Sequence, residues 1–230
     1  MSIPVVKIME HFWVLEGEGA RAFLLEGPEQ ALLIDTGMNK NLKPDVEALT
    51  SKPVTLITTH SDGDHIAGDD QFSDHYLHPA EFDAYERRNN RLSHAKPMWE
   101  GDIFDIGTFK LEVILAPGHT PGSVVLLERD KRFLIGNDTV QGHTIYMSGD
   151  GRNLNAFLFT MRRLETLLAG KLDTVYASHG DLVCSPSVLP ELRELIEGVL
   201  AGTLQPAEPA PAHFAKGVMT WRLGGVSLYY

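Results

Sequence analysis

Thr59-His60-Ser61-Asp62-Gly63-Asp64-His65 is the stretch on which the reading of this 230-residue chain turns. It follows a β-branched run, Val54 to Thr59, that predicts a strand. Alternate residues 60, 62 and 64 of an extended turn point to one side, while the adjacent Asp64 and His65 face two neighbouring sites. Two imidazoles and two carboxylates so close together are a donor mix that borderline divalent metals accept. Taken alone, the run reads equally well as a polar turn before a helix starting at residue 65.

Three distant segments change that balance. Ala116-Pro117-Gly118-His119-Thr120-Pro121-Gly122 is a rigid turn presenting one imidazole, Gly136-Asn137-Asp138 ends an apolar run in a carboxylate, and Ser178-His179-Gly180 ends another in an imidazole. By itself each is an ordinary turn or cap residue. Together with Asp35, they all stand just past the C-terminal ends of expected strands, where loops can converge while the strands hold them rigidly.

The rest of the chain is consistent with a layered α/β protein. Short strands are expected at 4–9, 12–15, 21–26 and 31–35, a short helix at 42–50, and helical turns at 65–72 and 79–89. Residues 90–102 have no clean period and read as a loop. Strands are expected again at 109–115, 123–128, 132–136 and 173–177, with an irregular stretch at 139–152. Apolar residues at 154, 157, 158, 161, 164, 167 and 168 predict a helix over 154–168, and another is expected over 187–201. The Pro- and Ala-rich segment 205–211 is expected to wrap the surface, and 218–229 to close as a hairpin around Gly224-Gly225. No repeat or domain boundary is visible, so residues 1–230 are read as one domain.

Composition narrows the function. Apolar residues are 43% of the chain, enough for a sizeable core, and the net charge is −11, which argues against a nucleic-acid partner. No membrane helix or signal peptide is visible, and the single cysteine, Cys184, excludes an intrachain disulfide, so a cytoplasmic location is expected. The terminal Leu228-Tyr229-Tyr230 suggests pairing across a homodimer, with capping of the fold as the alternative.

Over roughly residues 8–200 the chain resembles the metallo-β-lactamase superfamily. The resemblance is carried by LLIDTG at 32–37, THSDGDHIAG at 59–68, LAPGHTPGSVVLL at 115–127, LIGND at 134–138 and ASHGD at 177–181. It implies an αββα four-layer sandwich with a dinuclear metal site. Carried over position by position, His60, His119 and Asp138 would bind one metal; Asp64, His65, His179 and a bridging Asp138 would bind the second. The departure is Asp62, where the usual HxHxDH motif has a histidine. A carboxylate there could still reach the first metal and would favour iron or manganese more than imidazole does; alternatively it misses the metal and weakens that site. Zinc is the first expectation. Asp35 is expected to orient a ligand loop by hydrogen bonds.

The chemistry expected is hydrolysis of a small ester, thioester, lactone or related substrate by a water activated between two metals, with Asp64 orienting it and taking its proton. His94, Met98 and Trp99, with His143, Tyr146, Met147 and Arg152, are candidates for a pocket wall, and Arg152 for a contact to a substrate carboxylate or phosphate. The alternatives are an iron-dependent redox enzyme of the persulfide dioxygenase kind and a non-catalytic metal-binding protein.

Overall fold

Phe12–Leu15, Ala22–Glu26 and Ala31–Ile34 are short apolar runs parted by turn residues, and in the structure they are neighbouring strands. The structure is a computed structural model that describes residues 3–88 and 95–230. Contacts divide the chain into two units, Met1–Leu115 and Ala116–Tyr230.

Among its described residues, the first unit forms a seven-stranded sheet in sequential order. The strands are β1 (Val5–Met9), β2 (Phe12–Leu15), β3 (Ala22–Glu26), β4 (Ala31–Ile34), β5 (Val54–Ile57), β6 (His75–Leu77) and β7 (Ala95–Pro97). Pairing is antiparallel from β1 to β4 and parallel from β4 to β7. The change follows from the connections: short loops join the first four strands, whereas crossovers carrying the helices α1 (Lys43–Glu47), α2 (Gly63–Ile66) and α3 (Phe82–Arg87) join the rest. β3 and β4 are buried on both faces, which is why they read as continuous apolar runs. One face packs Leu24, Leu33 and Leu56 with Leu42 and Val46 of the α1 region; on the other side Phe12 meets Phe23 and Phe109. Phe109 lies between β8 (Ile103–Asp105) and β9 (Lys110–Leu115), an antiparallel pair.

In the second unit, β10 (Val124–Glu128) pairs antiparallel with β11 (Phe133–Asn137), which pairs parallel with β13 (Thr174–Ala177); β14 (Val183–Cys184) closes that edge. The helix α4 (Leu154–Leu168) buries Leu154, Phe157, Thr160, Met161, Leu164 and Leu168, a helical stripe, and its N-cap Asn153 accepts the Ala156 N–H. It packs on α5 (Val188–Leu200), with Arg193 bridging to Glu165 at 2.6 Å. The hairpin β16 (Met219–Leu223) and β17 (Val226–Tyr229) forms as expected, flanked by β15 (Glu208–Pro209) and, in parallel, by β12 (Thr144–Tyr146).

The differences from the sequence expectation include β6, an interior strand that is not among those expected, and three short edge strands. β7 falls inside the stretch 90–102 read as a loop, β12 inside the irregular stretch 139–152, and β15 inside the surface segment. Each is two or three residues held by a neighbouring strand, too short to show a period. Leu228, in the terminal segment that suggested pairing across a dimer, is fully buried. Among the described residues, no helix is long and apolar enough to cross a membrane.

Candidate metal centre

In the first unit, the donors sit where β5 ends and α2 begins. Their anchor is Asp35, one residue beyond β4, fully buried and at a positive φ of 56°. That left-handed turn is uncommon for a non-glycine residue, although Asp tolerates it better than most. It carries the carboxylate alongside the end of β5. Asp35 Oδ1 accepts the Thr59 N–H at 2.7 Å, and Oδ2 accepts both the Thr59 hydroxyl and His65 Nδ1–H at 2.7 Å. Because a carboxylate there can only accept, His65 carries its proton on Nδ1 and turns the Nε2 lone pair outward.

His60 follows the same logic at one remove. The Thr59 hydroxyl proton goes to Asp35, so Thr59 Oγ1 accepts from His60 Nδ1 at 3.1 Å. The two rings lie 4.1 Å apart by centroid, and both are fully buried. One buried carboxylate therefore sets the tautomer of two imidazoles and aims both Nε2 atoms, the arrangement that metal-ligating histidines commonly have. The expectation that Asp35 orients the ligand loop is met.

The turn of α2 is docked by backbone as well. Thr36 N–H donates to the His65 carbonyl at 2.8 Å, and Ala20 N–H to the Asp64 carbonyl at 3.1 Å. Gly19 lies against this turn with φ of 78°, and a Cβ there would sit 2.6 Å from Met38 Cγ and 3.0 Å from Asp64 Cβ. The Asp64 side chain is half-buried. Asp62 is at the N-cap of α2 but makes no capping bond. Its Oδ1 pairs with Arg88 Nη2 at 3.1 Å and its Oδ2 lies 3.6 Å from His60 Nε2. Beneath the turn, the fully buried Asp69 lies within hydrogen-bond distance of the hydroxyls of Thr36, Thr58 and Tyr85. Burial pushes its carboxyl up to about 7, against the three hydroxyls that favour the charged form and with the Asp35 charge adding to the rise.

In the second unit, His119 sits on the Pro-Gly turn after residue 115. Its Nδ1 donates to the Tyr146 carbonyl at 3.0 Å, which again leaves Nε2 as the donor nitrogen. The turn is fastened to the start of α4: Asn153 N–H donates to the Gly118 carbonyl at 2.8 Å, and Thr160 Oγ1 to the Pro117 carbonyl at 2.6 Å. Gly118 is required by this approach, since a Cβ at its φ of 137° would lie 2.4 Å from Phe157 Cα. Asp138, just past β11, has Oδ1 3.3 Å from His179 Nε2 and Oδ2 3.7 Å from His119 Nε2. The preceding Asn137, at φ of 39°, supports this turn: its side chain donates to the Val124 carbonyl and accepts the Thr139 N–H at 3.1 Å. His179 is the more open donor, with its side chain 22% exposed. Arg152 Nη2 lies 3.4 Å from His119 Nε2, a cation at the edge of the same group.

Each unit thus holds imidazole Nε2 atoms and carboxylate oxygens of its own, and this donor chemistry fits divalent metal. Of the suggested wall residues, Tyr146 and Trp99 are partly exposed at 38% and 54%, whereas Met98 and Met147 are buried core residues. His143 lies against Gly180, and His94 falls outside the described residues. Sequence reasoning missed Thr59, Glu81, Arg88 and the Tyr146 carbonyl. Glu81 and Arg88 are seven residues apart on one helical stretch, and that spacing was the one signal that they share a face.

The sequence profile of the metallo-beta-lactamase superfamily matches residues 15–179, a span that includes every one of these donors. The chain belongs to the metallo-β-lactamase superfamily. It is similar to the acyl-coenzyme A thioesterase MBLAC2 of Homo sapiens, 25% identical over 215 residues that span 73% of this chain and 77% of that protein. It is also similar to the hydroxyacylglutathione hydrolase of Buchnera aphidicola, 24% identical over 160 residues, 70% of this chain and 56% of that one. Among solved structures, a metallo-beta-lactamase from Pontibacter korlensis aligns with a TM-score of 0.71 at 21% identity, covering 85% of this chain and 99% of its own. The expected fold is therefore the right one, the α/β sandwich of metallo-β-lactamases, and the chain is a metallo-hydrolase of that superfamily.

Proposed function

We propose that this chain hydrolyses a small thioester or related ester at a dinuclear centre, with zinc as the first expectation for the metal. His60, Asp62, His119 and Asp138 would hold one ion, and Asp64, His65, His179 and a shared Asp138 the other. The observation that carries the reading is the repeated orientation of the imidazoles. His60, His65 and His119 each commit Nδ1 to an internal acceptor, and each thereby offers Nε2. Bound there, divalent ions supply Lewis acidity and bring the pKa of water down to about 7.

The remaining roles belong to the chain's own groups. Asp64 orients the attacking water and accepts its proton, as a carboxylate within hydrogen-bond reach does. Arg152 stands beside His119 and would pair with a carboxylate or phosphate on the substrate. The preference for thioesters rests on the relatives, one named an acyl-coenzyme A thioesterase and another a hydroxyacylglutathione hydrolase.

The test is a hydrolysis screen of metal-replete protein against thioesters, esters, lactones, lactams and phosphodiesters. Thiol release from short acyl thioesters is expected, falling by about 100-fold or more in Asp64→Asn, the scale of general-base catalysis. Failure on every class would remove the hydrolytic reading.

A further inference from the structure

Asp62 replaces the second histidine of the superfamily's usual motif, and its side chain is held at one oxygen while the other lies near His60. Oδ1 is 3.1 Å from Arg88 Nη2, and Oδ2 is 3.6 Å from His60 Nε2. The ordinary reason for an aspartate at a helix N-cap, a bond to the first turn, does not apply here because no capping bond is made. Two ligand atoms about 2.0–2.2 Å from one tetrahedral ion lie roughly 3.3–3.6 Å apart, so His60 Nε2 and Asp62 Oδ2 have the spacing of co-ligands.

Arg88 is itself anchored. Its Nη1 donates to the Ser61 carbonyl at 2.6 Å, while Ser61 donates through its N–H and hydroxyl to Oε2 of the buried Glu81, at 2.9 and 2.5 Å. From Glu81 through Ser61 to Arg88, the α3 region grips the ligand loop at Ser61 and at Asp62 itself. An exposed ion pair alone would be worth little. This one has its carboxylate only 13% exposed and its guanidinium tied to the backbone of the preceding residue.

We propose that Arg88 is a positioning residue for the metal site. It takes one oxygen of Asp62 and aims the other at the ion that His60 binds, so that the pair does the work of the missing imidazole. The inference rests on the reading of His60 as a metal ligand. A hard anionic oxygen in place of an imidazole also shifts that site's preference toward manganese or iron.

The experiment titrates metal-free protein with Mn2+ and with Zn2+ and fits both dissociation constants. The proteins compared are wild type, Arg88→Ala, Arg88→Lys, Asp62→Asn and the double variant Asp62→Asn/Arg88→Ala. The Co2+ spectrum and the thermal unfolding of each metal-free protein are recorded alongside. In Arg88→Ala one constant is expected to weaken by about tenfold or more, the scale of losing an outer hydrogen bond to a ligand, and the other to stay within about threefold. Asp62→Asn weakens the same constant at least as much, the double variant is no weaker than Asp62→Asn, and Arg88→Lys recovers part of the loss. The Co2+ spectrum shifts in Arg88→Ala while the metal-free unfolding temperature does not.

Three outcomes overturn the proposal: an unchanged constant in Arg88→Ala beside a weakened one in Asp62→Asn, tighter binding in Arg88→Ala, or losses that add in the double variant. If wild-type protein binds no metal, the metallo-hydrolase reading fails first and this inference with it, a result distinct from the other three.

Discussion

His65 in the first unit and His119 in the second face the same requirement, a neutral imidazole with Nε2 turned outward, and meet it with different acceptors. His65 gives its Nδ1 proton to Asp35, a fully buried carboxylate that also holds Thr59 and, through it, His60. His119 gives its proton to a main-chain carbonyl, that of Tyr146 on β12. The first arrangement concentrates three hydrogen bonds on one side chain inside a buried network. The second spreads the work over backbone, and its neighbour His179 is partly open to solvent. A single substitution can dismantle the first set, whereas the second should tolerate side-chain changes provided that the backbone keeps its course.

The largest expected effect is at the hub. Asp35→Ala leaves the His65 Nδ1–H, the Thr59 N–H and the Thr59 hydroxyl buried without their acceptor, a loss of about 3 kcal/mol or more at the usual cost of such groups. Urea unfolding of the metal-free protein measures it, and metal affinity should fall with it by about 10- to 100-fold. A variant with wild-type stability would show that the network is not the anchor.

A middle-sized effect concerns pH. The Asp69 carboxyl is raised from 3.8 to about 7, so the folded state holds its proton more tightly than the unfolded state does. Its contribution to stability is full below about pH 4 and is lost as the pH climbs to about 7. Asp69→Asn should therefore gain stability relative to wild type between pH 5 and pH 7, seen in unfolding curves at the two values. A difference that stays constant with pH would place the titration elsewhere.

The smallest effect tests the other side of the comparison. Because the acceptor for His119 is the main-chain oxygen of Tyr146, Tyr146→Ala should change metal affinity by less than about threefold, well short of the usual cost of a lost outer-shell partner. A loss as large as that of Asp35→Ala would mean that the tyrosine ring matters to the orientation of His119.

The same contrast explains what could be read from the sequence. The strands that position the donors are short apolar runs, and the helix expected over 154–168 has the bounds of α4, although Thr160 is buried in it and Leu158 and Leu167 are only half-buried. The donors themselves stood out because His60, Asp64, His65, His119, Asp138 and His179 all follow such runs. Their supports were legible only where a side chain provides them. Asp35 ends an apolar strand and drew notice, but the Tyr146 carbonyl is a backbone atom that any residue would supply. Arg88 and Glu81 meet Ser61 across the turn from a helix, and spacing along that helix says nothing about what lies opposite. β7 and β12 escaped for a related reason, since Ala95–Pro97 and Thr144–Tyr146 owe their strand geometry to a neighbour.

The most direct test of the account is the metal content of the purified and reconstituted protein, measured by elemental mass spectrometry. About two divalent ions per chain are expected, with loss of roughly one in His119→Ala and in His65→Ala, as in two-metal sites whose ions have separate ligands. A reconstituted wild-type protein that retains no stoichiometric metal after gel filtration would contradict it.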